Sequence, residues 1–572
     1  MSSSPACTCC VCPVHADAGP ERGGPVGDGP EWARSAREHL DSVVDWLDGP
    51  EATGAGHGEL EARLQVHSRE QYRLLLQGHL DERARREARR HGVTGSDGLS
   101  RPRVENGHHR ELTSVFGPVT VTRKAYRAVP GAAGRPQPDP APDGTGTTAD
   151  TTADTTAGTA AGTAGTAGTA GTAGTAGNLY PADAVLNLPV GRPSAGLARL
   201  AAVEAARGSY GDAREAIERA TGVALGKRQV EDLGRSAAVD VEAFYAARRP
   251  EPCPGRVLGL QCDGKGIVMR PGHLRPGTAK LAAKASGKLA TRLSPGEKHG
   301  RKRMAEIVAV YDLDPEPRAA DDIIPARIPA RARSRQGKPA RRPGPVVTGK
   351  WLAASITDDI PAVIAAMFDE AERRDPAHER TWVALVDGNR QQIDTIRAQA
   401  ASRGVAVSIV IDFVHVLEYV WKAAWTFFYP GDPDAETWVA GHARTILNGR
   451  AVDAAATIGH QADTAGFRGR ERNGADQAVA YLTRKAPYLD YATALASGWQ
   501  IATGIIEGAA RFLIKDRMDI TGARWTTPGA EAVLRLRAVI ANGDFDEYWQ
   551  WHQQQELHRN HLDHYQKLDL AA

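Results

Sequence analysis

Three acidic residues stand in contexts where a carboxylate needs a reason. Asp263 lies inside VLGLQCDGKGIVM (Val257 to Met269), which is apolar on both flanks. A lone ionised carboxylate in such a run is costly to bury. Asp387 ends the apolar run TWVALVDGN and is followed by Gly388. Glu507 falls in the first turn of the helical stretch IATGIIEGAARFLIKDRM, where the helix dipole favours negative charge. One kind of partner satisfies all three. Hard cations such as Mg²⁺ take carboxylate oxygens and leave positions open for water and phosphate. Two such ions a few ångström apart stabilise both the attacking and the leaving oxygen of an in-line phosphoryl transfer. That chemistry needs no covalent enzyme nucleophile, only positioned acids.

The acids are far apart in the chain, so their contexts carry this reading and their spacing does not. Each also has a structural reading. Asp263-Gly264 is a turn dipeptide that could close a hairpin. Asp387-Gly388 could be a turn or a helix cap. Glu507 could pair with Arg511 one helical turn on. Glu507, Arg511 and Lys515 share one helical stripe, so an acid followed by bases suits a metal-and-phosphate face.

The elements that must position these acids follow from pattern. Strands are expected at 256–263, 304–313, 346–356, 381–387 and 405–412. Helices are expected at 358–373 and 389–403. Three strands in series, then helix alternating with strand, predict an α/β layer fold with a mixed sheet. Helical sequence then runs from Val414 to about Gly498. Upstream, SYGDAREAIERATG and LGKRQVEDLGRSAAVDVEAFY read as two amphipathic helices with a turn near Gly222 and Ser209 as a cap. Lys227 and Arg228 open the second, as in a helix-turn-helix whose second helix reads the major groove, although any helical hairpin looks alike. Residues 31–95 carry helical periodicity, and HHRELTSVFGPVTVTRKAYRA reads as a β-hairpin.

Two segments differ from the rest. Residues 129–178 include a Gly-Thr-Ala triplet repeat with almost no side chain to bury, which predicts a flexible linker. Residues 314–345 are rich in Pro and Arg and predict a loop. Arg327, Arg331, Arg333, Arg335, Lys338, Arg341 and Arg342 make it strongly basic, which suits DNA phosphate or a solvated loop. GEKHGRKRM, with Arg301, Lys302 and Arg303, is a second basic cluster.

Composition bounds the rest. Basic and acidic residues nearly balance, 71 against 69, so overall charge does not select a partner. Four of the six cysteines crowd into ACTCCVCPVH (Cys7, Cys9, Cys10, Cys12), either an unstructured tail or a soft-metal site. The pattern is not a disulfide framework. No signal peptide and no membrane-spanning run is evident, so a cytoplasmic, nucleoid-associated protein is expected.

Seven stretches taken in order complete the picture. CDGKGIVMR, KLATRLSPGEKHGRKRMAEIVAVYDL, KWLAAS, ERTWVALVDGNRQQID, VIDFVHVLEYVWKAAW, KAPYLDYATALASGWQIATGIIEGAARFLIKDRMDITGARW and NGDFDEYW resemble bacterial insertion-sequence transposases of the ISKra type. The likeness runs from about Leu186 to Trp549, with a weaker part at 110–127. It implies a DDE transposase with a ribonuclease-H-like core, a mixed sheet flanked by helices with a helical insertion before the last acid. The family's three acids fall on Asp263, Asp387 and Glu507, which would hold Mg²⁺ or Mn²⁺ as two ions. DFVH (Asp412 to His415) resembles a supporting D-x-x-H signature of Mutator-like relatives, and Asp412 is the alternative second acid. Arg511, Lys515 and Arg517 become candidates for phosphate contact. The partners implied are the terminal inverted repeats, target DNA and a second copy of the chain on paired ends.

The domain organisation expected is therefore a tail at 1–30, a helical region with hairpin at 31–128, the linker at 129–178, and a DNA-binding helical region at 179–250. The core follows at 251–418, with its insertion at 419–499, its final helices at 500–550 and a tail at 551–572. Two rival functions remain: a non-catalytic DNA-binding regulator or domesticated remnant, and a ribonuclease-H-like nuclease without strand transfer.

Overall fold

The computed structural model describes residues 29–128, 177–249, 255–284, 301–325, 344–520 and 522–570. The cysteine cluster, the Gly-Thr-Ala repeat and the basic residues Arg327 to Arg342 lie outside them. The chain divides into two compact units.

The first unit contains the helices Arg34–Asp48 and His57–Arg86 and a two-stranded hairpin, β1 (Arg103–Ser114) and β2 (Gly117–Arg127). Val119, Val121 and Ala125 alternate inward along β2, as the period of a strand requires. Gln77 acts as a substitute strand for this hairpin. Its amide donates to the Thr120 carbonyl at 3.0 Å, and its carbonyl accepts the Thr120 N–H at 2.8 Å.

The second unit is built on a five-stranded mixed sheet: β3 (Val257–Val268), β4 (Lys302–Asp314), β5 (Val346–Ser355), β6 (Thr381–Val386) and β7 (Val407–Ile411). The order across the sheet is β5-β4-β3-β6-β7. β3, β4 and β5 pair antiparallel, while β6 and β7 run parallel to β3. β4 and β6 are nearly continuous buried apolar runs, as strands covered on both faces should be. The helices Ile360–Arg374 and Arg390–Arg403 make the two parallel crossovers, capped by Asp359 and Asn389 side chains.

After β7 the chain forms a helical block: Phe413–Phe427, Pro433–Leu447, Ala451–Thr464, Asn473–Lys485 and Tyr491–Ala496. It is tied back where Glu316 N–H meets the Gly498 carbonyl (3.1 Å) and Arg318 N–H meets that of Leu495 (2.9 Å). The Tyr491 hydroxyl donates to the Ile411 carbonyl at 2.8 Å, pinning the block to the end of β7.

The helices Ala195–Arg207, Tyr210–Thr221, Lys227–Ser236 and Val241–Ala247 belong to this same unit. Ser209 caps its helix, and Gly222 ends it in a left-handed conformation. The segment expected as one helix from Lys227 breaks at 237–240. There the Ala237 carbonyl takes the Tyr548 hydroxyl at 2.5 Å, and Asp240 turns to His552 and Arg559. The tail expected from 551 is instead helix, Phe545–Asn560, because Tyr548, Trp549 and His552 are buried along it. Among the described residues, no helix is long and apolar enough to cross a membrane.

Candidate functional site

Asp263 does not close a hairpin. β3 continues through Asp263-Gly264 to Val268, with Asp263 opposite Ile307 and Gly264 opposite Glu306. On the other side β3 pairs in parallel with β6, Gln261 level with Leu385. Two residues further along each strand stand Asp263 and Asp387, so adjacent strands deliver two half-buried acids at the same height. Asp387 turns the chain into the next helix, accepting the Asn389 N–H at 2.8 Å.

Glu507 arrives from the helix Gly504–Ala510, in its first turn, and is exposed. A buried polar relay fixes that helix to the sheet. The carbonyl oxygen of Gln261, fully buried on β3, accepts the Ile506 N–H at 2.9 Å. The Gln261 amide donates to the Tyr311 hydroxyl at 2.8 Å, which donates to Gln500 at 2.9 Å. The residue before Glu507 is thereby bonded to the residue two before Asp263.

Burial raises the Asp263 carboxyl above the ordinary carboxylate range, and the charges of Asp387 and Glu507 push it further; the Gly264 N–H and Lys265 pull the other way. Acids from two distant segments thus each disfavour the charge on half-buried Asp263, and a bound cation would relieve this. Their oxygens do not all lie within 4.8 Å of one another. Among the described residues only Asp240, His552 and Glu556, and Glu242, Asp358 and Glu531, come together that closely. Those two acidic groups could hold a metal by proximity, but protein donors already serve both. Asp240 takes Arg559 and His552. Glu531 takes the Ser355 hydroxyl, the N–H groups of Ile356 and Thr357, and Arg535.

Asp412 is nine-tenths buried and fully engaged, which sets it apart from Asp387. It caps the helix Phe413–Phe427 through the Val414 N–H (2.9 Å) and accepts the Thr503 hydroxyl at 2.6 Å. Thr503 also lies 3.4 Å from a Glu507 oxygen. Asp412 therefore holds the start of the helix that carries Glu507. His415 turns to Glu418 (3.4 Å) and sets its ring edge against Tyr419 and Tyr481.

Sequence reasoning missed Glu306. It sits on β4, 9 % exposed, against Gly264, where an added Cβ would stand 3.2 Å from both its oxygens. Burial pushes its carboxyl up to about 6, with Asp263 and Asp387 adding to the rise and Gln392 and Arg275 opposing it. Only the register of β3 on β4 reveals this neighbour; the run KRMAEIVAVY alone gives an acid near a strand's start. Folded Glu306 keeps a proton that the unfolded chain releases near 4.5, so the unfolded state binds fewer protons in between and stability falls as pH rises. Between pH 4.5 and 6 the metal-free protein is expected to lose on the order of 1 kcal/mol from this group. Urea titrations in chelator across that range check it, and an equal slope in Glu306→Gln would remove Glu306 as the source.

Several basic residues need correction. Arg517 is buried, not facing solvent: its guanidinium donates to the Ala205 carbonyl (2.9 Å) and stacks on Tyr210 and Trp525. Arg303 is half-buried and binds the Ile356 carbonyl at 2.8 Å, fastening β4 to the turn after β5. Arg511 to Lys515 form a π-helical turn, so the expected stripe of i,i+4 neighbours is broken. Arg511 lies near Asp516 (3.7 Å) and makes no pair with Glu507. Lys227, Arg228, Arg301, Lys302, Arg511 and Lys515 are exposed. Arg228 is shared with Asp232 at 3.2 Å. Arg333, Arg335, Arg341 and Arg342 lie outside the described residues.

Compared with known proteins, the chain matches no family model and no curated protein.

Proposed function

We propose that the chain is a DDE-type transposase of the insertion-sequence ISKra type, with a ribonuclease-H-like core. It binds the terminal inverted repeats of its element, cuts DNA there, and joins the freed end to a target. The observation that carries this reading is the placement of Asp263 and Asp387 at one height beside each other in the sheet, with Glu507 on the helix that Gln261 anchors to β3. Supporting it is the sheet itself, three antiparallel strands followed by two parallel ones with the first strand in the middle.

The residues fit a pair of Mg²⁺ or Mn²⁺ ions, which when bound would stabilise the attacking and leaving oxygens of phosphoryl transfer. Asp263 and Asp387 offer oxygens from neighbouring strands, and Glu507 offers them from the helix that Gln261 anchors. Asp412 keeps that helix in place through Thr503. The exposed Lys227, Arg228, Arg301, Lys302, Arg511 and Lys515 supply charge for phosphates.

The test is a cleavage and joining assay on labelled DNA carrying the element's own end. A 3′-hydroxyl released at that end and joined to a target, only with Mg²⁺ or Mn²⁺, is the expected result. Tight end binding without cutting would assign a non-catalytic DNA-binding role. Cutting without joining would assign a nuclease.

A further inference from the structure

Beside the acids lies a hydroxyl with nothing to bond. Tyr481, on the helix Asn473–Lys485, is 4 % exposed, and its phenol oxygen has no hydrogen-bond partner among the described residues. That oxygen is pressed on the chain next to Asp387. A Cβ on Gly388 would stand 2.9 Å from it, and Gly388 adopts φ +93°. The ring is clamped in place: Tyr419 stacks on it at 3.8 Å and 10°, and the His415 edge approaches at 6.0 Å. Burial raises the phenol's pKa well above its ordinary value, with Tyr419, Asp387 and Asp412 adding to the effect. A phenol is protonated near neutral pH, so the group is a donor, and it lies against the chain beside Asp387. A buried donor without an acceptor is destabilising, and phenylalanine would fill the same space without that penalty.

We propose that Tyr481 is a positioning residue of the acid site, its hydroxyl donating to an oxygen ligand held at Asp387. The oxygen belongs to water when ions alone are bound, and to a phosphate when DNA is bound. No bond is made or broken by the phenol. The inference rests on the proposed function and adds that the helical block, through this one hydroxyl, takes part in the site it covers.

The test compares wild type with Tyr481→Phe by three measurements. The first is thermal unfolding of the metal-free protein. The second is Mn²⁺ affinity by paramagnetic resonance without DNA. The third is affinity for a DNA end in Ca²⁺. In the metal-free state the variant is expected to melt at the same temperature or higher, because an unpartnered donor has been removed. A Mn²⁺ affinity weaker by about tenfold without DNA and an end affinity in Ca²⁺ weaker by about the same factor are the expected results; a loss in only one of the two overturns the half of the inference that the other carries. A variant that unfolds earlier, or that binds both ligands as wild type does, overturns the inference. A wild-type protein that holds no Mn²⁺ and cuts no DNA overturns the proposed function and this inference with it. A wild-type protein that does both, beside an unaltered variant, overturns this inference alone.

Discussion

Asp263→Asn is expected to abolish DNA cutting while raising the melting temperature of the metal-free protein. The two effects share one cause. Burial and the charges of Asp387 and Glu507 disfavour the ionised form of Asp263 in the folded chain. Asn has the same shape and carries no charge, so it removes a repulsion that the folded state bears and the unfolded state does not. The same change deletes an oxygen that two neighbouring strands present at one height. Loss of a metal-holding acid is expected to lower the cutting rate on the order of 10³-fold or more. Paired calorimetry and cleavage assays check this. A variant that is both less stable and inactive would mean Asp263 is a structural residue, and one that still cuts would remove it from the site.

Gln261→Leu is expected to cost about 2 kcal/mol of folding stability and to impair cutting beyond what that loss explains. Gln261 is fully buried and serves two clients: it accepts the Ile506 N–H and donates to the Tyr311 hydroxyl. Leucine fills the volume but orphans the Ile506 N–H, while the Tyr311 hydroxyl keeps the bond it donates to Gln500. Each buried polar group left without a partner costs roughly 1–3 kcal/mol. The Ile506 N–H belongs to the first turn of the helix bearing Glu507, where no intrahelical acceptor replaces Gln261. Denaturant unfolding gives the first quantity. Cleavage at a temperature where circular dichroism shows the variant folded gives the second. Unchanged stability would mean that the helix start finds another acceptor.

The sheet was legible because its strands carry dense apolar runs bounded by charge or proline. β4, β5 and β6 fall within two residues of their expected limits. β3 ran past its expected end because a D-G pair reads as a turn, although here the chain passes straight through it. The three acids could be nominated from local context, since each interrupts an apolar element. What local context cannot supply is register and depth. Glu306 and Tyr481 reach the site only through pairing and packing that link distant segments. The resemblance offers Arg517, with Arg511 and Lys515, as a phosphate contact. The π-turn at Arg511–Lys515 shifts the angular position of everything after it, and Arg517 lies buried against Tyr210 and Trp525. The resemblance offers Asp412 as a supporting residue or an alternative second acid; in the structure its carboxylate caps the helix Phe413–Phe427 and accepts the Thr503 hydroxyl, contacts that no local sequence pattern gives.

The anchoring of Ile506 on Gln261 has a consequence for the order of events during synthesis. The strand with Asp263 and the turn with Asp387 leave the ribosome long before the helix with Glu507 exists. At typical elongation rates that interval is on the order of tens of seconds. Until the later segment emerges and docks, the acid set is incomplete. An unfinished or truncated chain would thus hold the sheet but lack the chemistry, and the DNA nearest to it during manufacture would be spared.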